Sequence, residues 1–175
     1  MPEAPEIPEA KDPFEKQVAI SIAALAVALS VIGNKGDNAK TDAIIQTNEA
    51  ANQWAYYQAK GIKGTVASSE SEMLSLLTPA QNANADIAKT VERLKADVER
   101  YKTEQGEIKA HAEEAQKNAE RGSKINDYCD MASLALQIAI VIASVSILSR
   151  WRLLWFIALA LGVVGTLIGV SAYRL

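Results

Sequence analysis

Three stretches of this chain carry no charged residue: 18–32, 131–149 and 153–173. No other feature restricts the fold as much. A helix rises about 1.5 Å per residue and the hydrocarbon of a bilayer is about 30 Å thick, so roughly 20 apolar residues are needed to cross it. The second and third stretches meet that length. The first holds only 15 residues. It must borrow residues 14–17 and Gly33, or thin the bilayer locally. The sequence therefore predicts membrane-spanning helices over 13–34, 128–149 and 153–173, with 150–152 as a basic turn. The 17 residues before the first stretch carry five acids and two lysines. A secretory signal begins with a basic region instead, so the first span is expected to be an uncleaved signal anchor.

Ahead of it, residues 1–12 form an acidic Pro/Glu tail. Pro2-Glu3, Pro5-Glu6 and Pro8-Glu9 repeat every third residue, the period of a solvated polyproline II helix. Asp12-Pro13-Phe14-Glu15 then reads as a helix start, with a capping acid and proline at the first helical position. The first span runs into Gly33-Asn34-Lys35-Gly36-Asp37-Asn38, a composition that favours a turn or hinge.

Residues 35–127 predict an extramembrane helical hairpin with its turn near 78–82. In the first arm, Ile45, Ala55, Ala59, Ile62, Val66, Met73 and Leu76 recur at helical spacing. Asn48, Asn52 and Ser69 fill the remaining steps, and Gly61 and Gly64 are weak points. This face is the expected seam with the second arm. Thr78-Pro79-Ala80-Gln81 is a second capping-box pattern and marks the reversal. Beyond it, Ile87, Val91, Leu94, Val98, Tyr101, Gln105, Ile108, Ala112, Ala115 and Ala119 follow a 4-3 repeat. That repeat continues through Gly122, Asn126, Cys129, Ser133, Leu136, Ile140, Ala143 and Ile147, straight into the second span. A seam of this length predicts a coiled-coil helix. The expected fold is thus an all-α membrane protein. It has three transmembrane helices, with a long antiparallel hairpin, a coiled-coil stalk, between the first and second. Folding back evenly about residue 80 would set Asn52 opposite Ile108.

A second apolar face on the first arm, Ile44, Ala51, Trp54 and Tyr57, lies off the Ile45 seam. A helix that needs two partners predicts a homo-oligomer, with these four residues as the contact. Small residues line two spans: Ala19, Ala23, Ala26, Ser30 and Gly33 in the first, and Ala158, Gly162, Gly165 and Gly169 in the third. Such stripes let membrane helices approach closely, within one subunit or between two. Ser133, Gln137, Val141 and Ser144 form a mostly polar line on the second span. Hydrogen bonding between helices is one use of it; a pore lined by Ser133, Gln137 and Ser144 in an oligomer is the other.

Three stretches carry a family resemblance. They are Asn52-Gln53-Trp54-Ala55-Tyr56-Tyr57-Gln58-Ala59-Lys60, Gln137-Ile138-Ala139-Ile140-Val141-Ile142-Ala143-Ser144 and Arg150-Trp151-Arg152-Leu153-Leu154-Trp155. With Asp12-Pro13-Phe14 ahead of the first span, the chain resembles the membrane family catalogued as domain of unknown function 4337 from about residue 12 onward. The resemblance implies a bacterial multi-pass membrane protein and no particular activity.

The residues offer little chemistry. His111 is the only histidine, and with Glu114 on its side of the helix it makes two ligands, not a metal site. Gly33-Asn34-Lys35-Gly36 lacks the strand and glycine pattern of a phosphate loop. No catalytic residue, metal or cofactor is expected. The net charge of −3 comes with no concentrated basic surface, which argues against nucleic acid. The single cysteine, Cys129, excludes an intrachain disulfide. The lipid bilayer is the one assured partner. A non-enzymatic oligomeric scaffold or interaction protein is the expected role; a channel or transporter subunit is the alternative.

Orientation follows Lys and Arg in short loops. Arg150 and Arg152 in the short turn should stay inside, joined by Lys11 and Lys16. The N-terminus is then expected in the cytoplasm and the hairpin in the periplasm of a bacterial inner membrane. Lys35, Lys40, Arg121 and Lys124 oppose this but belong to a long loop, where charge matters little. Arg174 also opposes it.

Overall fold

The computed structural model describes residues 13–77 and 85–174. Among them the protein is all-helical. Helix α1 runs Pro13–Leu77, α2 runs Ala85–Ser149 and α3 runs Arg152–Ser171, followed by a 3-10 turn at Ala172–Arg174. All three are long and apolar enough to cross a membrane. The tail 1–12, the Asp12 cap, and the turn near 78–82 with its Thr78-Pro79 cap lie outside the described residues. Contacts divide the described residues into two units, one of residues 13–42 with 121–174 and the other of residues 43–77 with 85–120.

The first unit brings together the start of α1, the end of α2 and α3. Two apolar clusters hold it. Phe14, Val18, Ala143 and Ala158 form one, with Ile22 and Trp155 packed against them. Ile32, Cys129, Ala132, Leu136 and Ala172 form the other, with Leu25, Leu29 and Ile168 alongside. Ala158, Gly162, Gly165 and Gly169 are the buried residues of α3. The three glycines, lacking a side chain, make room for large neighbours. A Cβ at Gly165 would come within 3.2 Å of Leu136 Cγ and of the Ala132 carbonyl oxygen. Gly162 and Gly169 are filled in the same way by Leu25 and Ile32. Two polar side chains here pair with each other. Trp155 Nε1 donates to Ser21 Oγ at 3.2 Å, and Ser21 in turn donates to the Gln17 carbonyl at 2.8 Å.

Aromatic and basic side chains mark both ends of this unit. Phe14 meets Trp155 edge-on at 5.9 Å, and the Arg152 guanidinium lies 5.6 Å from the Phe14 ring. At the other end the Lys35 ammonium sits 5.4 Å from the Tyr173 ring. Phe14 and Lys35 are about 30 Å apart along a helix, the hydrocarbon thickness. Belts of this kind anchor spans at the two water interfaces. Between them, exposed Ile20, Val27, Leu134, Ile138, Val163 and Leu167 suit a lipid environment.

The Gly33–Asn38 segment does not turn. It is helical throughout, contrary to its composition. The reason is packing: Gly36 is buried, and a Cβ there would stand 2.8 Å from Cys129 Cβ. Contact with α2 outweighs the roughly 1 kcal/mol helix penalty of each glycine. The α2–α3 turn is the sharp one. Arg150 takes φ 49, the left-handed residue that commonly ends a helix, although it is not glycine.

In the second unit, α1 and α2 lie antiparallel. Gln105 Nε2 donates to the Tyr57 carbonyl at 3.1 Å. Lys60 pairs with Glu104, and the Gly64 backbone lies beside Tyr101. The midpoints of these pairs fall between residues 81 and 83. Asn52 is therefore level with a point about one helical turn beyond Ile108, which corrects the even fold-back about residue 80. The expected seam of α2 is present: Leu94, Ile108, Ala112, Ala115 and Ala119 are buried. The expected seam of α1 is not. Ile45, Ile62, Val66, Met73 and Leu76 are exposed, while Ala43, Ala50, Ala67 and Ser71 are buried. The opposite face of α1 meets α2, because small residues on both helices permit the closest approach.

Two tests follow from this packing. A Cβ at Gly64 would lie 3.7 Å from Tyr101 Cβ, within the 3.5–4.5 Å typical of disulfides. Gly64→Cys with Tyr101→Cys, in a Cys129→Ala background, should oxidise to an intrachain bridge, seen as a gel shift; Asn52→Cys with Ile108→Cys should not. Gly36→Ala should lower stability by about 1–3 kcal/mol through overpacking. Gly106→Ala, where an added Cβ meets nothing within 4 Å, should raise it by about 0.4–1 kcal/mol. Denaturation of the full chain in detergent measures both.

Candidate functional site

The first arm, 43–77 of α1, carries two stripes on opposite sides. Ala43, Gln46, Ala50, Gln53, Tyr57, Lys60, Gly64, Ala67, Ser71 and Leu74 are buried or half-buried at 3-4 spacing. That stripe faces α2. Two residues further along at each step lies the other stripe, from Ile45 to Leu76. Its large apolar members are 50% to 78% exposed. Each stripe keeps a 3-4 spacing, with polar residues interspersed among the apolar ones, and among the described residues the inward stripe is the one that faces α2.

A polar clamp crosses the inward side. The Gln105 amide lies over Gly61, where an added Cβ would be 2.6 Å from its nitrogen. That gap lets the amide reach the Tyr57 carbonyl. One turn on, the Lys60 ammonium pairs with Glu104 between two rings, 5.2 Å from Tyr56 and 5.3 Å from Tyr101. Arg100 adds contacts to Asp97 at 2.9 Å and Glu104 at 3.6 Å. The hydrogen bond from Lys60 holds the Glu104 carboxyl below its ordinary range, against a smaller opposing effect of burial. The same bond raises Lys60 above the usual lysine value. Polar pairs within a seam of small residues fix its register, since sliding by a turn would leave each without a partner.

Two shallow grooves flank the clamp. One of about 330 Å³ is lined by Ser68, Ser71, Glu72, Ser75, Lys95 and Val98. The other, near 310 Å³, runs past Gly61, Gly64, Ser68, Tyr101 and Gln105. His111 lies with Glu49 and Glu114 in a third groove of about 180 Å³. Among the described residues no three His, Cys, Asp or Glu side chains are placed to hold a metal ion.

The four residues expected to contact a second subunit divide. Ile44 and Ala51 are exposed at the border of the outward stripe. Trp54 and Tyr57 are half-buried on the side toward α2, their rings edge-on at 5.6 Å. Of the polar line on the second span, Ser133 is half-buried, whereas Gln137 and Ser144 are exposed. Ser144 Oγ donates to the Ile140 carbonyl at 2.9 Å. The stripe Ala19, Ala23, Ala26 and Ser30 is exposed as well, with Gly33 half-buried. Apolar size hid the inward seam of α1 from sequence reasoning. The available signal was the match of Ala39, Ala43, Ala50 and Ala67 to the alanines of α2, since small faces small.

The clamp predicts a pH dependence. Glu104, held low in the folded chain, contributes stability that is complete above the ordinary carboxylate value of about 4.3. It is lost as pH falls through the folded value. Lys60, held high, contributes below about 10.4 and loses this as pH rises through its folded value. Glu104→Gln should be less stable than the parent at pH 7, and the gap should close as pH falls below about 4. Urea midpoints across this range measure it.

No curated protein and no solved structure matches the chain. The family model described as Domain of unknown function (DUF4337) matches residues 14–175, covering all three helices, so the chain belongs to that family.

Proposed function

We propose that this protein is a non-enzymatic membrane scaffold that assembles into a homo-oligomer. Its three spans anchor it in a bacterial inner membrane, and its hairpin serves as a coiled-coil contact surface. The observation that carries this reading is the outward stripe of α1. Ile45, Ile62, Val66, Met73 and Leu76 lie exposed on a segment that, unlike the three uncharged stretches, is interspersed with Lys, Glu and Asn side chains. Apolar side chains repeated at coiled-coil spacing in water call for a further helix. Ile44 and Ala51 border that contact, and the edge-on pair Trp54 and Tyr57 lies behind it.

A second reading, a channel or transporter subunit, draws on the exposed Gln137 of the second span. An amide in hydrocarbon requires a partner or water, and an axis lined by Gln137, Ser133 and Ser144 would supply it. Conductance of purified protein in planar bilayers separates the two; a silent oligomer favours the scaffold.

We place the N-terminus in the cytoplasm and the hairpin in the periplasm, because Arg150 and Arg152 occupy the shortest loop. A single cysteine at Glu92, exposed on the second arm, should react with an impermeant thiol reagent in intact spheroplasts. Labelling only after lysis would reverse the orientation. The native mass in detergent should be a multiple of the 18.8 kDa chain, and a monomer would end the scaffold reading.

A further inference from the structure

We propose that the outward stripe of α1 pairs with the same stripe of a second copy, the two first arms parallel and in register. This rests on the assembly reading above and adds the partner and its geometry.

Numbered as a heptad from Ile45, the first core position holds Ile45, Asn52, Ala59, Val66 and Met73. The second holds Asn48, Ala55, Ile62, Ser69 and Leu76. Large apolar side chains alternate with small and polar ones, so the polar positions decide how two such stripes can meet. The two asparagines select the partner. A buried amide must find both a donor and an acceptor. In a parallel pair in register, Asn48 meets Asn48 and Asn52 meets Asn52, and each amide completes the other. Run antiparallel, the same stripes would set Asn48 against Met73 and Asn52 against Ser69.

Charge points the same way. In the parallel register the flanking positions bring Gln58 beside Lys63 and Thr65 beside Glu70, with no like charges facing. The antiparallel register would bring Glu49 against Glu70 twice, at the two symmetric edges. Like charges at such positions destabilise a coiled coil. Copies in one membrane share one topology, so their first arms start from the same side of it, which brings like ends together.

The test uses the full-length chain in native membranes, with Cys129→Ala and single cysteines at Ala55 and Ser69 on the outward stripe. A cysteine at Glu107, exposed on α2, is the control. Mild oxidation should convert most of the Ala55→Cys and Ser69→Cys chains to disulfide dimers, at least five-fold more than the control. Val66→Glu should convert the oligomer to smaller species at unchanged helicity. A monomeric parent would overturn both this pairing and the assembly reading. An oligomer in which neither Ala55→Cys nor Ser69→Cys crosslinks would overturn the pairing alone. Efficient joining of an Ala55→Cys chain to a Val66→Cys chain, with little self-joining of either, would show the antiparallel register and also overturn it. Should Val66→Glu fail to insert, the crosslinks alone decide.

Discussion

Hydrocarbon gives helices no reason to associate through apolar burial, because lipid tails cover apolar side chains as well as another helix does. What remains is close contact, in which many weak dispersion attractions add up, and contact is limited by the bulk between two backbones. In the membrane unit that limit is lifted at Gly162, Gly165 and Gly169. Leu25, Leu136 and Ile32 occupy the space. The positions of α1 and α2 against α3 depend on these three glycines. The same device recurs at Gly36 against Cys129. The backbone itself is settled by continuous helices, since an unpaired N–H or C=O in lipid costs several kcal/mol.

In the second unit small residues again decide which surfaces meet. Alanines of both helices form the inward seam and bury little area each. Polar contacts, Gln105 to Tyr57 and Lys60 to Glu104, then fix the level at which the helices stop sliding. The larger apolar side chains are left on the outside. A hairpin built this way is weakly held and carries unsatisfied apolar surface, two properties that assembly would repair together.

The element types were legible in the sequence because they follow from composition. Uncharged stretches set the spans, and an unbroken repeat from Ile87 to Ile147 set α2 and its buried face. Two features were not legible. Gly33–Asn38 has turn composition, yet burial of Gly36 on Cys129 keeps it helical; that contact joins residues 93 positions apart, invisible to a local reading. The inward face of α1 was misplaced because both its faces repeat at the same period. Periodicity identifies a helix with two seams but does not say which one is taken. Size chose wrongly, since Ile45 and Val66 outrank Ala50 and Ala67 on any apolar scale. Complementarity to the alanines of α2 is what chose.

The glycines of α3 also constrain how this sequence can change over time. A side chain gained at position 162 collides with Leu25, and one gained at 169 collides with Ile32. Either exchange becomes tolerable once the opposing residue has been trimmed. Trimming first opens a void, and gaining bulk first makes Leu25 swing aside at 162 or crowds the branched Ile32 at 169. Each single step has a cost, so each glycine and its opposing residue should change together. Lineages that part at one of them should part at the other, with the sum of the two side-chain volumes kept nearly constant while each one drifts.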